Sequence, residues 1–408
     1  MNHTGTNRIQ DAMIYRRFGR TELQMPVFSC GGMRYQYRWQ DVPLEKIPAD
    51  NQSNLKATIE RSLELGINHI ETARGYGSSE RQLGLVLPTL PRDELIVQTK
   101  VAPHADPEVF VQQVHESLAR LQLDHIDLLG LHGINTHAHL WWAIRPGGCL
   151  AAARQLVKEG KVRHVGFSTH APLDAILAAV EHEQDGGFDY INLHWYYIFQ
   201  KNWRAIESAR QRDMGVFIIS PADKGGMLYK PSEKLGALCD PLHPLIFNCL
   251  FCLSRPEIHT LSLGASCPED FGLQVGTLNE LERATELLPP IESRLRTALV
   301  ESVGLEMADY DGEGLPAWQD SPGYVNIPII LWLRKLALAY DMLDYARMRY
   351  NLLGNGGHWF PGLNAQQVDS LDFEDALSKT PFAAEIPGFL REAHALLYQE
   401  PKKRLSQS

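Results

Sequence analysis

Three short apolar runs end on, or just before, side chains suited to the reduction of a carbonyl group. They are Ile67-Asn-His-Ile-Glu71 with Tyr76 just beyond, Leu95-Ile-Val-Gln-Thr-Lys100, and Ile126-Asp-Leu-Leu-Gly-Leu-His132. Hydride addition to a carbonyl leaves an alkoxide that must be protonated as charge develops, so a positioned acid is required. Tyr76 suits that role, although a free phenol titrates near pH ~10. A cationic Lys100 within a few ångströms would stabilise the phenolate and lower that value. Glu71 would hold Lys100 charged and in place, and His132, as a neutral donor, would orient the substrate carbonyl. Taken singly, each is more often a surface or packing residue. Arriving together at successive strand ends, they form a proton-donating set.

The elements that must carry these residues read as a repeating βα pattern. After an N-terminal hairpin over residues 15–25, strands are expected near residues 27–32, 69–71, 95–100, 126–132, 162–168, 190–193, 216–220 and 260–264. Helical patterns intervene, as at residues 54–65, 107–121, 173–182 and 203–211. Strands alternating with helices in this number predict an α/β fold, a (β/α)8 TIM barrel over residues 13–288, preceded by a flexible N-terminus of residues 1–12.

This constellation resembles the aldo-keto reductase family, whose tetrad is Asp, Tyr, Lys and His. The stretch Gly66-Ile-Asn-His-Ile-Glu-Thr-Ala-Arg-Gly-Tyr-Gly-Ser-Ser-Glu-Arg-Gln-Leu-Gly84 is similar to the family signature around its Asp and Tyr, and the likeness runs from about Tyr15 to about Leu281. The family's Asp is Glu71 here. Glu is one methylene longer, and slack of ~1 Å around a reacting centre can cost ~100-fold in rate.

The resemblance implies reduction of an aldehyde or ketone by NAD(P)H. Val165-Gly-Phe-Ser168-Thr169 is similar to the family's Gly-x-Ser-Asn stretch, which holds the nicotinamide carboxamide; Thr169 replaces its Asn, and Asn192 takes the place of its Gln. Ile219 precedes Ser220-Pro221 where the family stacks an aromatic ring. Ser220-Pro-Ala-Asp-Lys-Gly-Gly226 resembles the loop around the pyrophosphate, with Lys224 adding charge and Gly225 close approach. Leu261-Ser-Leu-Gly264-Ala-Ser266-Cys-Pro268-Glu269 resembles the adenosine phosphate site, with Leu273-Gln274 at the family's Glu-Asn. Ser266 reads as an N-cap in a Ser-x-x-Glu capping box, with Pro268 early in the helix and free amides to attract an anion. Cys267 stands where relatives often carry Arg or Lys, which weakens a 2′-phosphate site. The expected cofactor is NADP(H), with NAD(H) the alternative.

Net charge of −10 argues against nucleic acid as a partner. No apolar run approaches the ~18 residues of a membrane span, and the polar first ten residues lack a signal-peptide core, so the cytoplasm is the expected location. Six cysteines are scattered without a disulfide framework, and Cys249-Leu-Phe-Cys252 reads as part of a buried helix. His132, His137 and His139 lack a completing ligand, so no metal is expected. Arg74 favours an anionic substrate if it points inward, and not if it pairs with Glu80.

Residues 289–408 read as a C-terminal helical domain. An acidic linker over 306–322 leads to a long helix over 328–353, ended by Gly354-Asn-Gly-Gly357. Ile327-Pro328 is echoed at Ile386-Pro387. The arrangement is similar to aldo-keto reductases fused to a ferredoxin-like helical module. No cysteine follows Cys267, so no iron–sulfur cluster is expected. The tail is expected to pack on the barrel, dimerise or dock a protein partner. A second reading of the whole is a nicotinamide-binding regulatory protein with weak turnover, motivated by Glu71, Ile219 and the tail.

Overall fold

Short runs rich in Val, Ile and Leu pair in parallel and close into an eight-stranded barrel in a computed structural model that describes residues 13–355 and 360–400. After a hairpin of β1 (Tyr15–Arg17) and β2 (Gln24–Pro26), the barrel strands are β3 (Phe28–Gly31), β4 (His69–Glu71), β5 (Ile96–Val101), β6 (Ile126–Leu131), β7 (Val162–Ser168), β8 (Tyr190–Leu193), β9 (Gly215–Ile218) and β10 (Thr260–Leu263). Each pairs with the next, and β10 closes on β3. The reading of a TIM barrel with extra helices beyond it holds. Residues 1–12, read as flexible, and Gly356 and Gly357 lie outside the described residues.

Side chains alternate across a strand with period two, so residues two apart share a face. His69 faces inward, meeting Ser29 Oγ at 2.6 Å and Gln98 Oε1 at 3.1 Å. The same alternation carries Glu71 and Lys100 inward one step nearer the C-terminal rim, and Lys100 lies beside Gly130 in register. A Cβ at Gly130 would sit 3.0 Å from Lys100 Cγ, and one at Gly166 would sit 2.4 Å from the Tyr190 carbonyl oxygen. Those two glycines clear the space that the lysine stem and Tyr190 fill.

At the opposite end, Phe18 and Met25 of the hairpin join Ile96, Leu128, Tyr190 and Phe217 in one buried cluster. All six are 7% exposed or less, so burial of apolar surface seals this end. The helix read at 54–65 starts earlier, at Ala49 (Ala49–Glu64), while Pro107–Leu121 and Trp203–Gln211 fall as expected.

The chain divides into two compact units, one running to Gly225 and including Asn248–Ala284, the other comprising Gly226–Phe247 and residues from Thr285 onward. The expected junction at 288/289 lies inside one helix, Ala284–Val303. In the second unit, the single helix expected over 328–353 is two, Ile327–Tyr340 and Leu343–Tyr350. Asp341 breaks it by adopting the left-handed conformation (φ 52°), which Asp tolerates better than most residues. The echoed Ile-Pro pairs each open a helix, the second being Ile386–Leu397, and Arg334 Nε ties the two at 2.7 Å to Glu392. Among the described residues no single helix is long and apolar enough to cross a membrane.

Candidate active site

Glu71 closes β4, and a tight turn, with the Tyr76 N–H donating to the Ala73 carbonyl at 2.9 Å, swings Tyr76 back over β5. Lys100 Nζ, 1% exposed, donates to Glu71 Oε1, to the Thr72 carbonyl at 2.9 Å and to Tyr76 Oη at 3.2 Å. The ring of His132, one residue past β6, meets the Tyr76 ring edge-on at 5.6 Å. The four side chains read as a proton-donating set therefore converge at the C-terminal rim. Glu71 reaches Lys100 despite its extra methylene; a Cβ at Gly31 would stand only 3.2 Å from Glu71 Oε2, so Gly31 leaves room for the longer side chain.

The electrostatics differ from expectation in one respect. Burial raises the Tyr76 phenol above its ordinary value, where Lys100 was expected to lower it. Burial also pulls the Lys100 ammonium well below the ordinary lysine range. Desolvation outweighs the 3.2 Å contact, and the phenol is held as the protonated acid. Trp39 lies edge-on to Tyr76 at 6.0 Å. Gly77 (φ 53°) permits that approach, since a Cβ there would fall 1.8 Å from the Arg38 carbonyl oxygen.

Further round the rim, Ser168 and Asn192 are paired neighbours on β7 and β8. Asn192 is fully buried, and neither its amide nitrogen nor its amide oxygen has a hydrogen-bond partner. Buried polar groups are rarely left so, and a ligand amide would satisfy both atoms. Ser168 Oγ accepts from the Gly133 N–H at 2.9 Å, which leaves its own proton to donate. Thr169 Oγ1, by contrast, donates to the Ile134 carbonyl at 2.7 Å and accepts from the Ala171 N–H at 3.0 Å. Its hydroxyl shapes the neighbouring loop.

After β9, Ser220 takes a left-handed conformation (φ 55°), and its carbonyl accepts the Lys224 N–H at 3.0 Å. Gly225 closes this turn where a Cβ would lie 2.0 Å from the Pro221 carbonyl oxygen. Lys224 Nζ donates to His170 Nε2 at 3.2 Å and His194 Nε2 at 3.1 Å, and the two imidazoles stack at 4.3 Å. Neither histidine was singled out in sequence, because each lies past its strand and only the closed barrel joins them.

The loop after β10 departs most from expectation. Ser266 is not an N-cap: Cys267 precedes the turn Pro268–Asp270, with no side-chain bond, and the helix that follows, Phe271–Val275, is only five residues long. The residue three after Ser266 is not its partner either. Asp270 Oδ2 instead accepts both the Ser266 N–H at 2.8 Å and the Ser266 hydroxyl at 2.6 Å. Arg34, from the loop after β3, donates to the Gly264 carbonyl at 2.6 Å, and Asn54 Nδ2 donates to the Ser266 carbonyl at 2.7 Å. Gln274 is fully buried nearby in sequence.

Arg74 forms its ion pair with Glu116 of Pro107–Leu121 and not with Glu80. Trp195 and Tyr196 are buried packing residues, with Trp195 stacked on Phe251 at 4.7 Å. Cys249 and Cys252 are buried thiols. Among the described residues no three His, Cys, Asp or Glu side chains are grouped to hold a metal ion.

The comparisons with known proteins agree with this architecture. Among curated relatives, the chain is 33% identical over 150 residues to the L-galactose dehydrogenase of Arabidopsis thaliana, covering 35% of this chain and 46% of that protein. It is 29% identical over 199 residues to the NADH-specific methylglyoxal reductase of Escherichia coli (strain K12), covering 41% and 56%. The chain thus spans about half the length of these relatives. In structure it resembles the holo form of aldo-keto reductase AKR11C1 from Bacillus halodurans (TM-score 0.55, 21% identity, 67% of this chain and 96% of that one). It also resembles an aldo-keto reductase from Klebsiella pneumoniae in complex with NADPH (TM-score 0.53, 20% identity, 68% and 96%). The family model of the aldo/keto reductases matches residues 29–244, more than half of the sequence. The chain belongs to the aldo/keto reductase family.

Proposed function

We propose that the protein reduces an aldehyde or ketone to an alcohol with a nicotinamide dinucleotide, Tyr76 serving as the general acid. The observation that carries this is the contact between Tyr76 Oη and Lys100 Nζ, 3.2 Å apart at the rim beside His132. The family membership and the unsatisfied amide of Asn192 support the cofactor, with Ser168 and Asn192 holding the carboxamide. The Ser220–Gly225 turn with Lys224 would hold the pyrophosphate, and Gly264 and Ser266 the adenosine end. Among similar proteins, one is named NADH-specific and another is a complex with NADPH.

The bound cofactor would supply a hydride. The protein's own groups do the rest. His132 orients the carbonyl oxygen toward Tyr76, and Tyr76 Oη gives its proton to the oxygen as negative charge develops there. Lys100 stabilises the phenolate left behind, and Glu71 anchors Lys100. Trp39 covers one side of the phenol and helps exclude water.

Single-turnover oxidation of bound cofactor by a panel of aldehydes and ketones tests the assignment. Tyr76→Phe should bind dinucleotide as the wild type does while turnover falls by roughly 100-fold or more. Equal, slow oxidation by both proteins would favour the regulatory alternative. In the second unit, the paired Ile-Pro helix starts support descent from a ferredoxin-like helical module that has lost its cluster cysteines.

A further inference from the structure

We infer that the loop after β10 selects NAD(H) over NADP(H), because the Asp270 carboxylate already occupies the donors that a 2′-phosphate would need. The inference rests on the cofactor reading above, which puts the adenosine end of the dinucleotide at Gly264 and Ser266.

Ser266 presents two donors to this loop, its N–H and its hydroxyl, and both go to Asp270 Oδ2 at 2.8 and 2.6 Å. The Arg34 guanidinium donates to the Gly264 carbonyl at 2.6 Å and stands 3.8 Å from the same Asp270 oxygen, so its charge is compensated before any ligand arrives. Although burial works the other way, the two Ser266 bonds and Arg34 hold the Asp270 carboxyl below its ordinary value, and it is anionic at neutral pH. Cys267 adds no positive charge; burial pushes its thiol up, so it stays neutral. Asn54, from the helix Ala49–Glu64, pins the Ser266 carbonyl at 2.7 Å and fixes the loop that bears the carboxylate.

A phosphomonoester brings close to two negative charges at neutral pH and takes hydrogen bonds only from donors. At this loop it would meet a carboxylate and two occupied donors. A ribose 2′-hydroxyl is the opposite case. It can donate to a carboxylate, which has lone pairs beyond those used by Ser266, and it adds no charge. The same logic underlies acidic residues that read the ribose hydroxyl of NAD in other dinucleotide folds. Here the acid comes from the turn after the last barrel strand, held in place by the serine otherwise expected to bind phosphate.

Titration of nicotinamide fluorescence with NADH and with NADPH reads both dissociation constants without turnover. Wild type should bind NADH at least about tenfold more tightly than NADPH, as expected when a dianion meets a carboxylate and donors that are already occupied. Asp270→Ser should raise NADPH affinity by roughly tenfold or more while NADH affinity holds or falls. Asp270→Asn preserves side-chain size, so a parallel shift in it assigns the effect to charge and not to a rearranged turn. Circular dichroism checks that both variants keep the fold. Wild type preferring NADPH, or an affinity ratio unmoved by both substitutions, overturns the inference. Failure of wild type to bind either dinucleotide is a separate outcome: it overturns the cofactor reading and takes this inference with it.

Discussion

Two charged stations on the barrel rim are built in opposite ways. Beside β5, one buried lysine head group is enclosed by its own carboxylate and phenol, all delivered by β4, β5 and the turn between them. After β10, one carboxylate sits on the donors of a serine, and the stabilising Arg34 lies 232 residues from that serine in sequence. The first station is a product of strand register: shift it by one residue and every inward side chain leaves the site. The second is a product of loop packing, where one side chain can reverse the sign of the site and leave the barrel intact. Under the proposed function, chemistry is thus tied to the scaffold, and cofactor choice is not.

The largest test of this contrast is Lys100→Met, which strands Glu71 as an unpaired charge only 3% exposed. Breaking a buried pair from one side costs about 3–5 kcal/mol, read from denaturant unfolding, and adding Glu71→Gln should restore much of it. Wild-type stability in Lys100→Met would show that the β5 station is no scaffold element. Next comes His69, one inward step below Glu71, whose pKa burial pushes down to about 3. A depressed value means that the unfolded chain binds the extra proton. The stability is therefore intact above the unfolded value near ~6.5 and is lost as pH falls toward the folded one. Acidification from about pH 6.5 to 5 should cost on the order of 2 kcal/mol, and His69→Gln should flatten that acid limb.

A pair of glycine substitutions sharpens the comparison further. Gly166→Ala forces a methyl group against Tyr190 and should destabilise by about 1–3 kcal/mol. Gly272→Ala, in the short helix after β10 with nothing within 4 Å of the new methyl, should stabilise by about 0.4–1 kcal/mol. Both are read as shifts in melting temperature. The smallest effect belongs to Arg74→Ala. Its partly exposed pair with Glu116 is worth about 0–1 kcal/mol, and KM should move alike for anionic and neutral carbonyl substrates. A selective loss for anions would return Arg74 to the substrate pocket.

The same contrast explains what was legible before the structure. Glu71, Tyr76, Lys100 and His132 follow strands whose apolar runs and alternation are local signals, so both the barrel and the convergence of these four could be read from spacing. Ser266 was read as a helix cap because Ser-x-x-Glu is also a local signal. It fails here because Asp270, one residue further, reaches back with the better geometry. The single helix over 328–353 failed similarly, at an Asp341 whose left-handed backbone no apolar period reveals. Arg34, Trp39, His170 and His194 reach their places only through long-range packing, and no local pattern marks them. Whether burial or Lys100 governs the Tyr76 phenol was also out of reach, since the sign depends on desolvation.

The apolar stopper made by Phe18, Met25 and Tyr190 has a kinetic corollary. A barrel plugged at its base offers no path along its axis, so under the proposed function any ligand of the C-terminal rim would have to arrive from that rim.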